Sequence, residues 1–102
     1  MPQKRRSPIS KKHKYWLELS EDAKRQLDRL PGHVCQRIKE IISALTDEPK
    51  PTFALLMRGY PERYRIVVES WRIVYRVDED ILIVEVLKIG QKHGPEFYAD
   101  IV

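Results

Sequence analysis

The hydrophobic pattern of this 102-residue chain changes period halfway along, and that change fixes most of what the chain can fold into. Between residues 20 and 45 the apolar positions recur at helical spacing; from 63 to 89 they alternate. Ser20 is a good N-cap, followed by Glu21 and Asp22 where a helix dipole favours carboxylates, and Ala23, Leu27 and Leu30 form one stripe before Pro31-Gly32. Val34, Ile38, Ile41, Ile42 and Leu45 form a second stripe, ended by the prolines of Thr46 to Pro51. Helices this short are marginal alone in water, so the hairpin needs a surface to cover. Arg63 to Val68, Trp71 to Val77 and Ile81 to Ile89 read as three strands with connections short enough for antiparallel hairpins. Tyr15 to Leu19 adds a short strand before the helices, while Phe53 to Pro61 fits a short helix, a strand or a covering loop. The expected fold is α+β: an N-terminal strand, then a two-helix hairpin packed on an antiparallel sheet of about four strands.

Size and composition narrow the classes further. One domain fits in this length, and 42% hydrophobic with 33% charged residues suffices for a core under a charged surface. The longest apolar run is Phe53 to Met57, far below the roughly 18 residues that cross a bilayer. The first fourteen residues lack the apolar stretch of a secretory signal, so a cytoplasmic protein with no membrane association is expected. Cys35 is the single cysteine, and His13, His33 and His93 show no metal-ligand spacing, so neither metal nor cofactor is expected. Cys35, Trp16 and Trp71 are read as core residues.

Charge is unevenly spread. Residues 1–14 hold six bases and no acid, whereas the rest holds 13 bases and 15 acids, a balance of −2. Residues 1–14 therefore read as a flexible basic arm, and residues 15–102 as the folded domain. Within that domain Arg58, Arg63, Arg65, Arg72 and Arg76 share nineteen residues with only Glu62 and Glu69 as acids. Strand alternation puts Tyr64, Ile66 and Val68 with Trp71, Ile73, Tyr75 and Val77 against the helices. Residues 68 and 71 then oppose each other, and the other face displays Arg63, Arg65, Arg72 and Arg76, with Arg63 opposite Arg76 and Arg65 diagonal to Arg72. Like charges so placed are unfavourable unless an anion offsets them; Glu62, Glu69, Glu85 and the chain's own C-terminus are the internal candidates, and simple solvation of the arginines is the other plain reading. A phosphodiester backbone fits, because planar guanidinium forks grip phosphates in bidentate fashion; an acidic protein partner fits equally well.

The stretch from Gly90 to Tyr98 is dense in groups that hold anions or move protons. The exit of the last strand should return to Trp71 and Arg72, bringing Lys92, His93 and Tyr98 towards Arg72 and Arg65. Histidine, with a reference pKa near 6.5, suits a general acid or base; tyrosine, near 10, serves beside cations.

The order of strand, helical hairpin, meander and basic loop ending in tyrosine resembles the RelE/ParE superfamily of toxins from type II toxin–antitoxin systems. The residues carrying the resemblance are Ser20-Glu21-Asp22-Ala23, Leu27 to Pro31, Met57-Arg58-Gly59, Tyr64-Arg65-Ile66, Trp71-Arg72-Ile73-Val74-Tyr75 and Val86-Leu87-Lys88-Ile89-Gly90 with Tyr98, across roughly residues 14 to 100. It implies a RelE-like fold and a ribosome-dependent endoribonuclease that cleaves messenger RNA by 2′-hydroxyl attack without a metal. A cognate antitoxin, the ribosome and messenger RNA are the implied partners, with assembly through the antitoxin rather than by self-association. Carried over by position, Arg72 is the transition-state arginine, Arg65 a basic group on the second sheet strand, Lys92 a basic loop residue and Tyr98 the C-terminal tyrosine, with His93 a neighbouring candidate. Arg58, Arg63 and Arg76, with Lys11, Lys12 and Lys14 of the arm, are the expected RNA-backbone contacts. Val67 stands where a second strand lysine occurs in the best-known nuclease, and Lys92 where an arginine does. ParE-like members share the fold, lack the nuclease residues and poison DNA gyrase, which makes a protein-binding toxin the alternative. A non-toxic RNA- or ribosome-binding module, with affinity supplied by the arm, is the other.

Overall fold

The computed structural model describes residues 14–91, which form two helices and one five-stranded sheet. β1 (Trp16–Leu19) leads into α1 (Glu21–Asp28) and α2 (Gly32–Ala44), followed by β2 (Leu55–Leu56), β3 (Arg63–Val68), β4 (Trp71–Asp78) and β5 (Ile83–Gln91). No described helix is long and apolar enough to cross a membrane.

Ser20 starts α1 as its sequence position implies: its backbone is extended, and its Oγ accepts the Ala23 amide at 3.0 Å. α2 follows after Pro31, whose carbonyl takes the Cys35 amide at 2.8 Å. At the far end of α2, Thr46 is buried, and its carbonyl accepts the amides of both Lys14 and Tyr15, tying the start of β1 to the end of the hairpin.

The strands run in the order β1-β5-β4-β3-β2. The α+β reading holds, with two additions. β1 pairs with β5 in parallel, so the sheet is mixed rather than wholly antiparallel; the helical hairpin and meander between the two strands supply the long crossover that a parallel pair needs. The fifth strand is β2, two residues on the edge of β3, too short to leave an alternating pattern in the sequence. β5 also starts two residues later than alternation implies. Ile81 and Leu82 belong to the preceding turn, in which the Asp78 carboxylate accepts the amides of Asp80 and Ile81 and Leu82 has a positive φ of 55°.

One face of the sheet takes the helices. Ala23, Ile38, Ile42 and Leu45 pack against Ile66, Val68, Ile73, Tyr75, Val77, Val84, Val86 and Ile89, with Tyr64 and Trp71 half-buried at the margin. These are the faces that alternation assigns to the core. Tyr75 is fully buried, stacks on Tyr64 with ring centroids 5.6 Å apart, and donates its hydroxyl to the Pro49 carbonyl at 2.7 Å.

Candidate functional site

The face of the sheet turned away from the helices carries the basic residues. Val68 pairs with Trp71, Arg63 with Arg76, Arg65 with Val74 and Val67 with Arg72, which is the expected register. β5 completes the surface by placing Glu85 beside Arg76, Lys88 beside Val74 and Gly90 beside Arg72. β1 adds Glu18 next to Glu85, and Trp16 next to Ile83. Trp16 therefore lies on the outer face, since its neighbours Leu17 and Leu19 take the core side; of the two tryptophans expected in the core, Trp71 packs against it and Trp16 does not.

These pairings divide the face into two ends. At the end where β3 begins, Arg76 donates to Glu85 at 3.0 Å and reaches Asp78 at 3.4 Å. Burial works to lower the Arg76 pKa, but the Glu85 hydrogen bond and charge, helped by Asp78, outweigh it and hold the guanidinium above its ordinary value. Asp78 is held below the usual carboxylate range, first by the Ile81 amide and, against some burial, by the Asp80 amide and Arg76. Arg63 lies over the ring of Tyr60, 5.7 Å from its centroid. At the other end, about 13 Å away at four residues of strand rise, lies Arg72. It is half-buried, and its Nη1 donates to the carbonyls of Glu69 and Trp71 in the β3–β4 turn, which fixes the guanidinium at the rim.

Between the ends sits Val74. It belongs to the outer face yet is fully buried, and its neighbours in register are Arg65 on β3 and Lys88 on β5, with Arg72 two residues away along β4. Arg65, Arg72 and Lys88 thus surround an apolar floor, with diagonal Cβ separations of about 7 Å from Arg72 to each of the others. Such a triangle of cations can hold a phosphate and favour charge that accumulates on it.

Of the expected site residues, the sheet brings Arg65 and Arg72 together. Arg63 and Arg76 share their face, one to two rows towards the acidic end. Arg58 is exposed in the β2–β3 connection beyond Arg63, and Lys14 is exposed where β1 begins beside Thr46, on the edge opposite β3. Lys92, His93 and Tyr98, with Lys11 and Lys12, lie outside the described residues. The strand leading to Lys92 does end where expected: Gln91 pairs with Trp71, and its side chain donates to Ser70 Oγ at 3.0 Å. Lys88 is the residue that alternation missed. Its signal is a phase slip, because the core positions of β5 are Val84, Val86 and then Ile89, two residues apart and then three.

Comparison with known proteins gives concordant matches. Residues 17–93 match the family model described as ParE toxin of type II toxin-antitoxin system, parDE. The chain is similar to the mRNA interferase toxin RelE of Escherichia coli (strain K12), 28% identical over 90 residues, which are 86% of this chain and 94% of that one. Among solved structures it resembles a mutant of E. coli toxin RelE in the free state (TM-score 0.73, 27% identity, 84% of this chain and 92% of that one). It also resembles the toxin of the intact E. coli RelBE toxin-antitoxin complex (TM-score 0.71, 26% identity, 78% and 99%).

Proposed function

This chain belongs to the ParE toxin family of type II toxin–antitoxin systems, and we propose that it is a ribosome-dependent endoribonuclease that cuts messenger RNA and is held in check by a cognate antitoxin. The observation that carries the reading is the meeting of Arg65 and Arg72 across the β3–β4 hairpin, at the end of the sheet from which the chain continues to Lys92, His93 and Tyr98. Similarity to RelE, named as an mRNA interferase, supports the same branch. The setting is the cytoplasm, where ribosomes and messages meet.

In the proposed reaction a ribose 2′-oxygen attacks the adjacent phosphorus. The bond to the 5′-oxygen breaks, leaving a 2′,3′-cyclic phosphate and a 5′-hydroxyl. His93 or Tyr98 takes the proton from the 2′-hydroxyl and returns one to the departing 5′-oxygen. Arg72 stabilises the extra negative charge on the pentavalent phosphorus, while Arg65 and Lys92 position the backbone and neutralise it. None of these steps calls on a metal. Arg58, Arg63 and Arg76, with Lys11, Lys12 and Lys14, contact flanking phosphates, and Arg76 contributes least because Glu85 and Asp78 already balance it.

Primer extension on messenger RNA from cells expressing the protein tests the reading. New cuts inside translated codons are expected, and their loss in Arg72→Ala. Growth arrest without such cuts would instead identify a protein-binding toxin of the gyrase-poisoning kind.

A further inference from the structure

Lys88 reaches the outer face only because β5 is irregular. Val74 pairs with Lys88 but Tyr75 pairs with Val86, so Leu87 is an extra residue on β5 and the strand changes phase there. Without it, Lys88 would share the face of Val84 and Val86, inside the core. α1 holds the irregular segment at the point where β1 has ended. The Ser20 amide donates to the Val86 carbonyl at 2.9 Å, the Ser20 hydroxyl to the Leu87 carbonyl at 3.0 Å, and the Ile89 amide to Gln26 Oε1 at 2.7 Å. The bulge is thus fastened by two side chains from another element. Bulges of this kind bend a strand and re-aim a side chain, and they gather next to functional sites.

What the re-aiming gains is a cation where the hairpin lacks one. On β3, the position level with Arg72 is Val67, which leaves Arg72 without a basic neighbour directly across. From β5, Lys88 stands diagonal to Arg72 and level with Val74, on the opposite side from Arg65. We infer that Lys88 is a further RNA-phosphate ligand of this face, presented by the β5 bulge, and that Ser20 and Gln26 are positioning residues that set its direction. The inference rests on the nuclease reading for its ligand, a single-stranded RNA backbone.

The test is the salt dependence of binding to a short single-stranded RNA oligonucleotide, measured on the full chain. Removing one cation from the RNA backbone makes the negative slope of log affinity against log salt shallower by about 0.7. Lys88→Met should show that decrease and Lys88→Arg should restore the slope, with Lys88→Gln as the substitute if the methionine variant does not fold. In a Gln26→Leu background, where the bulge has one fastening fewer, the difference between lysine and methionine at position 88 should shrink. Arg72→Ala is the control for the underlying reading. An unchanged slope in Lys88→Met alongside a reduced slope in Arg72→Ala overturns the role of Lys88 and leaves the RNA face standing. Unchanged slopes in both variants overturn the RNA face, and the inference with it.

Discussion

Arg72 and Tyr75 are three residues apart on β4 yet face opposite sides, and they answer to different physics. Arg72 is set by two backbone carbonyls of the neighbouring turn, so its replacement by alanine should leave the fold intact. If it stabilises the pentavalent phosphorus, Arg72→Ala lowers the single-turnover cleavage rate on programmed ribosomes by on the order of 10²-fold to 10³-fold. Thermal melting of the variant should match the parent. Tyr75 has the opposite profile. Its phenol is fully buried and bonded to the Pro49 carbonyl, and burial, with the nearby charge of Tyr64, pushes its pKa well above the ordinary value of 10.0. A phenol whose folded pKa is raised contributes stability that is complete below about pH 10, the unfolded value, and is lost as pH rises beyond it. Tyr75→Phe should cost about 1 kcal/mol in urea unfolding at neutral pH, through loss of the hydrogen bond. It should also remove part of the alkaline decline between about pH 10 and 12.

At the scale of elements, the connections carry as much information as the strands. Ser20 caps α1 and also fastens β5 through the Leu87 carbonyl, so it joins a local signal to a distant one. The cap alone predicts a loss of about 1 kcal/mol for Ser20→Ala. A larger loss, read by the same urea titration, would measure the second bond. In the β2–β3 connection Gly59 has a φ of 85°, and an added Cβ would meet no atom within 4 Å. Gly59→Ala should therefore cost only backbone strain, about 1–2 kcal/mol, with no repacking of Met57 or Tyr60 beside it. The helices were legible because Ser20, Pro31 and Gly32 punctuate two clean stripes. β3 and β4 were legible because every residue on their inner face is apolar or aromatic, and the two-residue turn Glu69-Ser70 sets their register. β2 was not, since two residues hold no period, and the bulge in β5 was not, since its cause is an amide and two carbonyls seeking partners on α1.

For the whole molecule, the placement of charge sorts the surface. The acids Glu85 and Asp78 gather with Arg76 at one end of the outer face, while Arg65, Arg72 and Lys88 surround Val74 towards the other. Lys14, the last residue of the basic N-terminal stretch of sequence, begins the described residues beside Thr46, just past the end of α2 and away from that cluster. Removing Met1 to His13 should lower salt-sensitive RNA affinity while leaving message cleavage in cells, because the proposed chemistry belongs to the sheet and the residues that follow it. Loss of the cleavage pattern in primer extension would place those residues in the reaction instead. On the acid side, Asp78 is held below the usual carboxylate range. It contributes stability that is complete above the unfolded carboxylate value, near pH 4, and that fades as pH falls through the folded one; Asp78→Asn should flatten the stability curve in that window. Local signals in the sequence were enough for the α+β class, the start of α1, the β3–β4 register and the meeting of Arg65 with Arg72. All of these follow from short-range periodicity, caps and a two-residue turn. Only the tertiary structure decided that β1 joins β5 in parallel, that Arg76 is balanced by Glu85, and that Lys88 faces out. Each of those depends on which backbone edges and charges find partners far along the chain, and the local pattern of side chains records at most the phase slip in β5, not the partners that cause it.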